Sequence, residues 1–134
     1  MSKRILVIDD DADNREILTE LLTSQGYAVD TAESGPLGVD IFMRRRPHLV
    51  LLDLLLPKVD GFHTGELLAR SAPSDWPPQI IYMSGIFQRL EHVQRVISRP
   101  GTISYFVKPL DFDRLLAKIR EVVGPGRIGA AASL

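Results

Sequence analysis

The sequence predicts an α/β fold, a single doubly wound sheet of five parallel strands. Two observations carry that expectation. Five short, mainly apolar runs, at residues 5–8, 27–32, 49–52, 79–83 and 102–107, each precede a polar turn and then a stretch with apolar residues at helical spacing. Strand and helix alternating in this way imply parallel pairing, helices on both faces and right-handed crossovers. The third run, Leu49-Val50-Leu51-Leu52, has no polar residue, as a strand covered on both faces requires, and it stops at a lone carboxylate, Asp53.

Ile5-Leu6-Val7-Ile8 reads as the first strand, ended by Asp9-Asp10-Asp11. From Asp13 onward Ile17, Leu18, Leu21 and Leu22 recur at helical spacing until Gly26 stops the helix, with Asp11 or Asp13 as its cap. Residues 27–32 form a weaker second strand. Ser34 then caps a helix with Pro36 in its first turn, running to about Arg46 with Gly38 as a soft spot. The basic Arg44-Arg45-Arg46 suits the negative end of that helix better than it suits a binding patch.

After the central strand, Pro57 and Asp60-Gly61 force a turn, and residues 62–71 form a helix carrying Leu67 and Leu68. The proline-rich stretch 72–78, with Trp76, is a connecting loop. The fourth strand, 79–83, stops at Ser84-Gly85. Ile86, Leu90, Val93, Val96 and Ile97 outline another amphipathic helix, closed by Pro100-Gly101. The fifth strand, 102–107, ends at Lys108-Pro109. A last helix from about Asp111 has Leu115, Leu116, Ile119, Val122 and Val123 on one face, and Gly124-Pro125-Gly126 ends it. One domain over 1–123 and a mobile tail over 124–134 are expected.

Composition narrows the function. The 134 residues have room for one domain, and 45% hydrophobic with 25% charged residues is typical of a soluble globular chain. A net charge of -1 gives no case for a nucleic-acid surface or an anionic membrane. The absence of cysteine excludes disulfides, thiol catalysis and thiolate metal sites. The apolar run before Asp9 is far too short for a signal peptide, so the protein is expected in the cytoplasm.

The chemistry collects where strands end: Asp9 and Asp10 after the first, Asp53 after the third, Ser84 after the fourth, Lys108 after the fifth. In the flavodoxin-like order 2-1-3-4-5, a three-layer sandwich, the first and third strands are neighbours at the switch point, where open α/β sheets hold ligands. Adjacent strands lie about 4.8 Å apart. Carboxylates that close repel one another, and without a cation at least one should have a raised pKa. Oxygen-only ligands with open positions suit Mg²⁺, whereas zinc would want histidine or cysteine. His48, His63 and His92 show no ligand spacing and are expected in surface or packing roles. Counted in strand spacings, Lys108 is about two strands from Asp53, within reach but loose unless an anion joins them. Ser84, one strand away, can donate to that anion. Together these groups describe a site that puts a phosphoryl group on Asp53, its oxygens met by Mg²⁺, Ser84 and Lys108.

Four motifs, in order, carry a resemblance: Ile8-Asp9-Asp10-Asp11; Leu51-Leu52-Asp53-Leu54 with Pro57 and Asp60-Gly61; Met83-Ser84-Gly85; and Tyr105-Phe106-Val107-Lys108-Pro109. Over about residues 3–123 the chain resembles the receiver domain of two-component response regulators. The resemblance implies that Asp53 is the phosphoacceptor, served by a sensor histidine kinase or a phosphotransfer protein. It implies Mg²⁺ held by Asp10, Asp53 and the backbone carbonyl of Leu55, with Asp9 acting largely through water. Ser84 and Tyr105 would be the switch pair. Lys108 would pair with the phosphate, and the Lys108-Pro109 bond would be cis.

The output surface it implies is the 86–98 helix, the fifth strand and the last helix, facing a downstream effector, and a phosphorylation-dependent homodimer is one assembly to test. No enzyme turning over a small substrate is implied, only phosphorylation and dephosphorylation of the domain itself, and no direct contact with nucleic acid or membrane. Departures from the family pattern are specific. Leu55 and Ile86 are apolar where many relatives carry polar groups near the hydrolytic water, so slow loss of the phosphate is expected. His48 stands where an acid is common, and Arg99-Pro100-Gly101-Thr102 replaces the usual Gly-Ala; neither touches the pocket.

Three other readings compete. One is a receiver-like interaction scaffold that works without phosphate. Asp9-x-Asp11 matches the nucleophile motif of haloacid-dehalogenase-type phosphatases, which need a larger chain with a cap. Gly124, Gly126 and Gly129 satisfy G-x-G-x-x-G, but they follow a helix and open no strand-helix unit.

Overall fold

In the computed structural model, which describes residues 3–56, 60–85 and 101–126, five strands form one parallel sheet. They are β1 (Arg4–Ile8), β2 (Ala28–Ala32), β3 (Leu49–Asp53), β4 (Ile80–Ser84) and β5 (Thr102–Val107), in the order β2-β1-β3-β4-β5. This is the doubly wound order that the sequence predicts. The helices are α1 (Ala12–Ser24), α2 (Gly35–Arg45), α3 (Gly61–Ser71) and α4 (Phe112–Val123). The helix expected over 86–98, the turn at Pro57 and the tail from 127 lie outside the described residues.

Side-chain alternation along the strands splits the core into two layers. Ile5, Val7, Leu49, Leu51, Ile81 and Met83 face Leu18 and Leu22 of α1 and Leu115, Ile119 and Val123 of α4. Leu6, Ile8, Val50, Leu52, Ile80 and Tyr82 face Phe42 of α2 and Leu68 of α3. Every residue of β3 is buried, so its near-continuous apolar run is the direct consequence of having a helical layer on each side. Each such Leu or Ile contributes about 1.5–3 kcal/mol by leaving water.

Helix starts follow short polar side chains. Asp11 caps α1, accepting from the backbone N–H groups of Asp13 and Asn14; Ser34 caps α2, Asp60 caps α3 and Asp111 caps α4. Each cap is worth about 1 kcal/mol. Arg44 and Arg45 occupy the last turn of α2, the negative end of its dipole. Gly38 has a packing reason to be glycine: a Cβ there would overlap the end of the Ile8 side chain and lie 2.8 Å from its Cγ1, so the glycine lets α2 press onto β1. Propensity marked the residue correctly, but packing explains it.

The amino edge of the sheet is tied by a separate cluster. The Arg4 N–H donates to His48 Nδ1 at 3.0 Å, and the Trp76 indole donates to the Pro47 carbonyl at 2.8 Å. The two rings meet edge to face, with centroids 5.2 Å apart. His48 thus has the packing role expected of it, and burial, with Lys3 nearby, holds its pKa below the usual histidine range. At the same edge the Tyr27 hydroxyl donates to the Gly124 carbonyl at 2.7 Å. Gly126 lies so close to the Gln25 carbonyl that a side chain would not fit. Among the described residues no helix is long and apolar enough to cross a membrane.

Candidate functional site

The carboxyl edge of the sheet gathers the acids. Asp9 directly follows β1, Asp53 ends β3, and the two strands are hydrogen-bonded neighbours paired from Ile5↔Leu49 to Ile8↔Leu52. The same alternation that turns Val7 and Leu51 toward α1 and α4 continues to Asp9 and Asp53. Asp9 is fully buried, Asp53 is 4% exposed and Asp10 is exposed. One carboxylate oxygen from each of the three lies within 4.8 Å of the others. An all-oxygen set of this kind, with one member open to solvent, fits a hard divalent cation such as Mg²⁺.

Gly61 seats this edge. A Cβ on it would overlap the Asp53 carbonyl oxygen and lie 2.5 Å from Leu54 Cα, while its N–H donates to the Leu54 carbonyl at 2.9 Å. The start of α3 therefore rests directly on the backbone that carries Asp53.

Lys108 completes the cluster, and not loosely. Its Nζ is 2.6 Å from Asp53 Oδ2 and 2.9 Å from Asp9 Oδ2. Strand spacing counts backbones, and the four-carbon stem of a lysine closes the remaining gap without an intervening anion when two buried carboxylates attract its head. The Lys108-Pro109 bond is cis, as expected, and the Lys108 N–H donates to the Ser84 carbonyl at 2.8 Å.

Burial pushes the Asp53 pKa up, and the negative Asp9 adds to this; the Lys108 ammonium and the Leu55 N–H, 2.8 Å from Asp53 Oδ1, oppose it without reversing it. Burial works against the charge on Lys108, but hydrogen bonds to Asp53 and Asp9 outweigh it and hold the lysine above its usual value.

Ser84 ends β4, fully buried, one position beyond Met83, the register partner of Asp53. Tyr105 pairs with Tyr82 and Val107 pairs with Ser84, so Tyr105 and Ser84 are diagonal neighbours on one sheet face. Tyr105 is half-buried against the α2 and α3 layer. Leu55 is 44% exposed beside Asp53, while Ile86 and His92 lie outside the described residues. His63 is exposed and pairs with Asp60.

Two residues of the cluster were not singled out in the sequence. Asn14 Nδ2 donates to Asp9 Oδ2, and Arg15 Nη1 donates to the Asp9 carbonyl at 2.8 Å. Their signal was their place in the first turn of α1, which folds back over the end of β1.

Three acids that can hold a cation, two of them paired with one lysine, sit at the switch point of an open α/β sheet, where domains of this class bind their ligands. The chain belongs to the response regulator receiver domain family, matched over residues 5–120. It is 37% identical over 122 residues to a probable transcriptional regulator, ycf27, of Porphyridium aerugineum, covering 90% of this chain and 48% of that one. It is 31% identical over 121 residues to the sporulation initiation phosphotransferase F of Bacillus subtilis, covering 90% and 94%. The crystal structure of the response regulator TrrA from Thermotoga maritima, in complex with Mg²⁺ and a beryllium fluoride, superposes with a TM-score of 0.75 at 31% identity, covering 90% of this chain and 99% of that one. Against several of its curated relatives, ycf27 among them, the chain spans about half their length.

Proposed function

We propose that this domain accepts a phosphoryl group on Asp53 and thereby switches the surface around β5. The observation that carries this reading is the Lys108 ammonium bridging Asp53 and Asp9 beside three convergent carboxylates. An Asp53 carboxylate oxygen attacks the phosphorus of a phosphohistidine on a sensor kinase or phosphotransfer protein. The new O–P bond forms as the P–N bond breaks, and the imidazole departs as the neutral ring after taking up a proton.

Lys108, already on Asp53 Oδ2, transfers its contact to a phosphoryl oxygen and keeps Asp9 as its second partner. Asp10, Asp53 and the Leu55 carbonyl would hold Mg²⁺, with Asp9 acting mainly through water, and the cation supplies neutralisation of charge between the acids and the incoming phosphoryl oxygens. Ser84 donates to the phosphoryl group from the neighbouring strand, and Tyr105 fills the space on the same face.

A phosphate adds about -1.5 to -2 charge at one point, and it shifts the domain only through contacts that differ between two states. The route outward is the segment 86–98, β5 and α4, toward a downstream effector or a second copy of the domain. Water later hydrolyses the acyl phosphate; no small-molecule substrate is turned over. The likeness to a sporulation phosphotransferase along most of that protein's length supports a phosphotransfer protein or kinase as the donor. Nothing in the site calls for nucleic acid or membrane, and cytoplasmic residence suits these donors.

The test is incubation with MgCl2 and acetyl phosphate, read by intact mass and by size. The expected result is a gain of one phosphoryl group that requires Mg²⁺ and is absent from Asp53→Ala. No gain, or an equal gain in the variant, refutes the reading and favours a scaffold that works without phosphate.

A further inference from the structure

We propose that Asn14 is a positioning residue that sets how strongly the acid cluster holds its divalent cation, by occupying Asp9. The inference rests on the reading of Asp9, Asp10 and Asp53 as a Mg²⁺ site. A carboxylate has about four lone-pair positions. Three of the four on Asp9 are taken within the protein: Oδ1 accepts from the Asp11 N–H at 2.9 Å, and Oδ2 accepts from both Asn14 and Lys108. Asp9 Oδ2 therefore has no lone pair left for a cation or for water bound to one. Asp53 keeps more freedom, since each of its oxygens carries one donor, and Asp10 has no hydrogen bond or ion pair among the described residues.

Of the three donors to the Asp9 carboxylate, Asn14 alone is a neutral side chain on α1. The Asp11 N–H is backbone and cannot leave, and Lys108 is a charged donor shared with Asp53. The amide must present its NH2 to Asp9, because its carbonyl oxygen would meet a carboxylate oxygen. Asn14 sits in the first turn of α1 behind the Asp11 cap, where the Asp11 carboxylate also accepts from its backbone N–H at 3.4 Å, so the side chain is delivered to Asp9 by the helix start itself. It draws negative charge off Asp9 and keeps that carboxylate facing α1.

Removing the amide returns a lone pair and its charge to the site, so cation binding tightens. The test is calorimetric titration of MgCl2 into the full chain as wild type, Asn14→Ala, Asn14→Leu, Asp9→Asn and the double variant Asp9→Asn with Asn14→Ala. Both Asn14 variants are expected to bind Mg²⁺ about three- to tenfold more tightly. Ala empties the space and Leu fills it, so a purely packing role would not move both in the same direction. In the Asp9→Asn background the Asn14 substitution is expected to change nothing, since the group it acts through is gone. Unchanged or weaker binding in either Asn14 variant, or an effect that persists without Asp9, overturns the inference while leaving the metal reading intact. A wild type that binds no Mg²⁺ overturns both.

Discussion

Replacing Lys108 by Met keeps most of the apolar stem of the side chain and removes the ammonium head with its charge and donors. In the structure that ammonium is the partner of two carboxylates, one fully buried and one 4% exposed, at 2.9 and 2.6 Å. Taking one partner from a buried ion pair costs about 3–5 kcal/mol because a charge is left without compensation. Here the Lys108 side chain is 21% exposed and Asp53 can escape by taking a proton, which reduces the expected loss to about 2–3 kcal/mol. In urea unfolding with EDTA at pH 7.5 this is a fall in midpoint of about 1–2 M at unchanged slope.

The pH dependence has a definite sign. A carboxylate whose folded pKa is raised opposes folding when ionised, so the deficit of Lys108→Met is greatest near neutrality and shrinks as pH falls through the raised Asp53 value. The wild-type lysine, whose folded pKa is raised, contributes fully below its unfolded value of 10.5 and loses that contribution as pH climbs through the folded one. MgCl2 should restore part of the variant's stability by binding the acids that the lysine served. A variant with the wild-type midpoint at pH 7.5 in EDTA would show that the Lys108 bridge does not hold this edge together.

Other perturbations test separate joints. Gly61→Ala forces a Cβ onto backbone that cannot swing aside, and a loss of about 2–4 kcal/mol in urea, with slower phosphorylation of Asp53, is expected; an unperturbed melt would mean that α3 can back away. Leu55→Asn puts a polar group on an exposed position beside Asp53, so stability should stay within about 0.5 kcal/mol while the half-life of the phosphorylated domain, followed by intact mass, shortens several-fold. An unaltered half-life would refute the expectation that the apolar neighbour slows hydrolysis. His48→Asn keeps an acceptor for the Arg4 N–H but cannot titrate. Because the folded His48 pKa lies below its unfolded 6.5, wild type loses stability as pH falls from 6.5 toward the folded value, and the variant should show a flatter profile over that window.

Much of the fold was legible because local and long-range signals agree. The polar-free run into Asp53, short and preceded by Pro47, reads as a strand covered on both faces, and Ser34, Pro36 and Gly26 bound their helices within a residue or two. The acids at the ends of β1 and β3 could be paired once the strand order was assumed, since adjacency of those two strands follows from topology and not from distance along the chain. What resisted reading depends on side-chain reach and on backbone contact. The grip of Lys108 on Asp53 spans a neighbouring strand, and no spacing along the chain reports it. Asn14 is an ordinary first-turn residue until α1 is laid over β1. Gly38 read as a helix glycine and Gly61 as a turn residue, yet what each yields to, a side chain in one case and main chain in the other, shows only in the packing.

Because α1 and α4 both run back from the phosphoryl-accepting edge, the Tyr27–Gly124 hydrogen bond and the Gly126 contact with Gln25 anchor the end of α4 at the far rim of the sheet. Any chain continuing past that point sets out a full strand length away from Asp53. A change at Asp53 therefore reaches that attachment point by crossing the domain, as a rearrangement of the layers between.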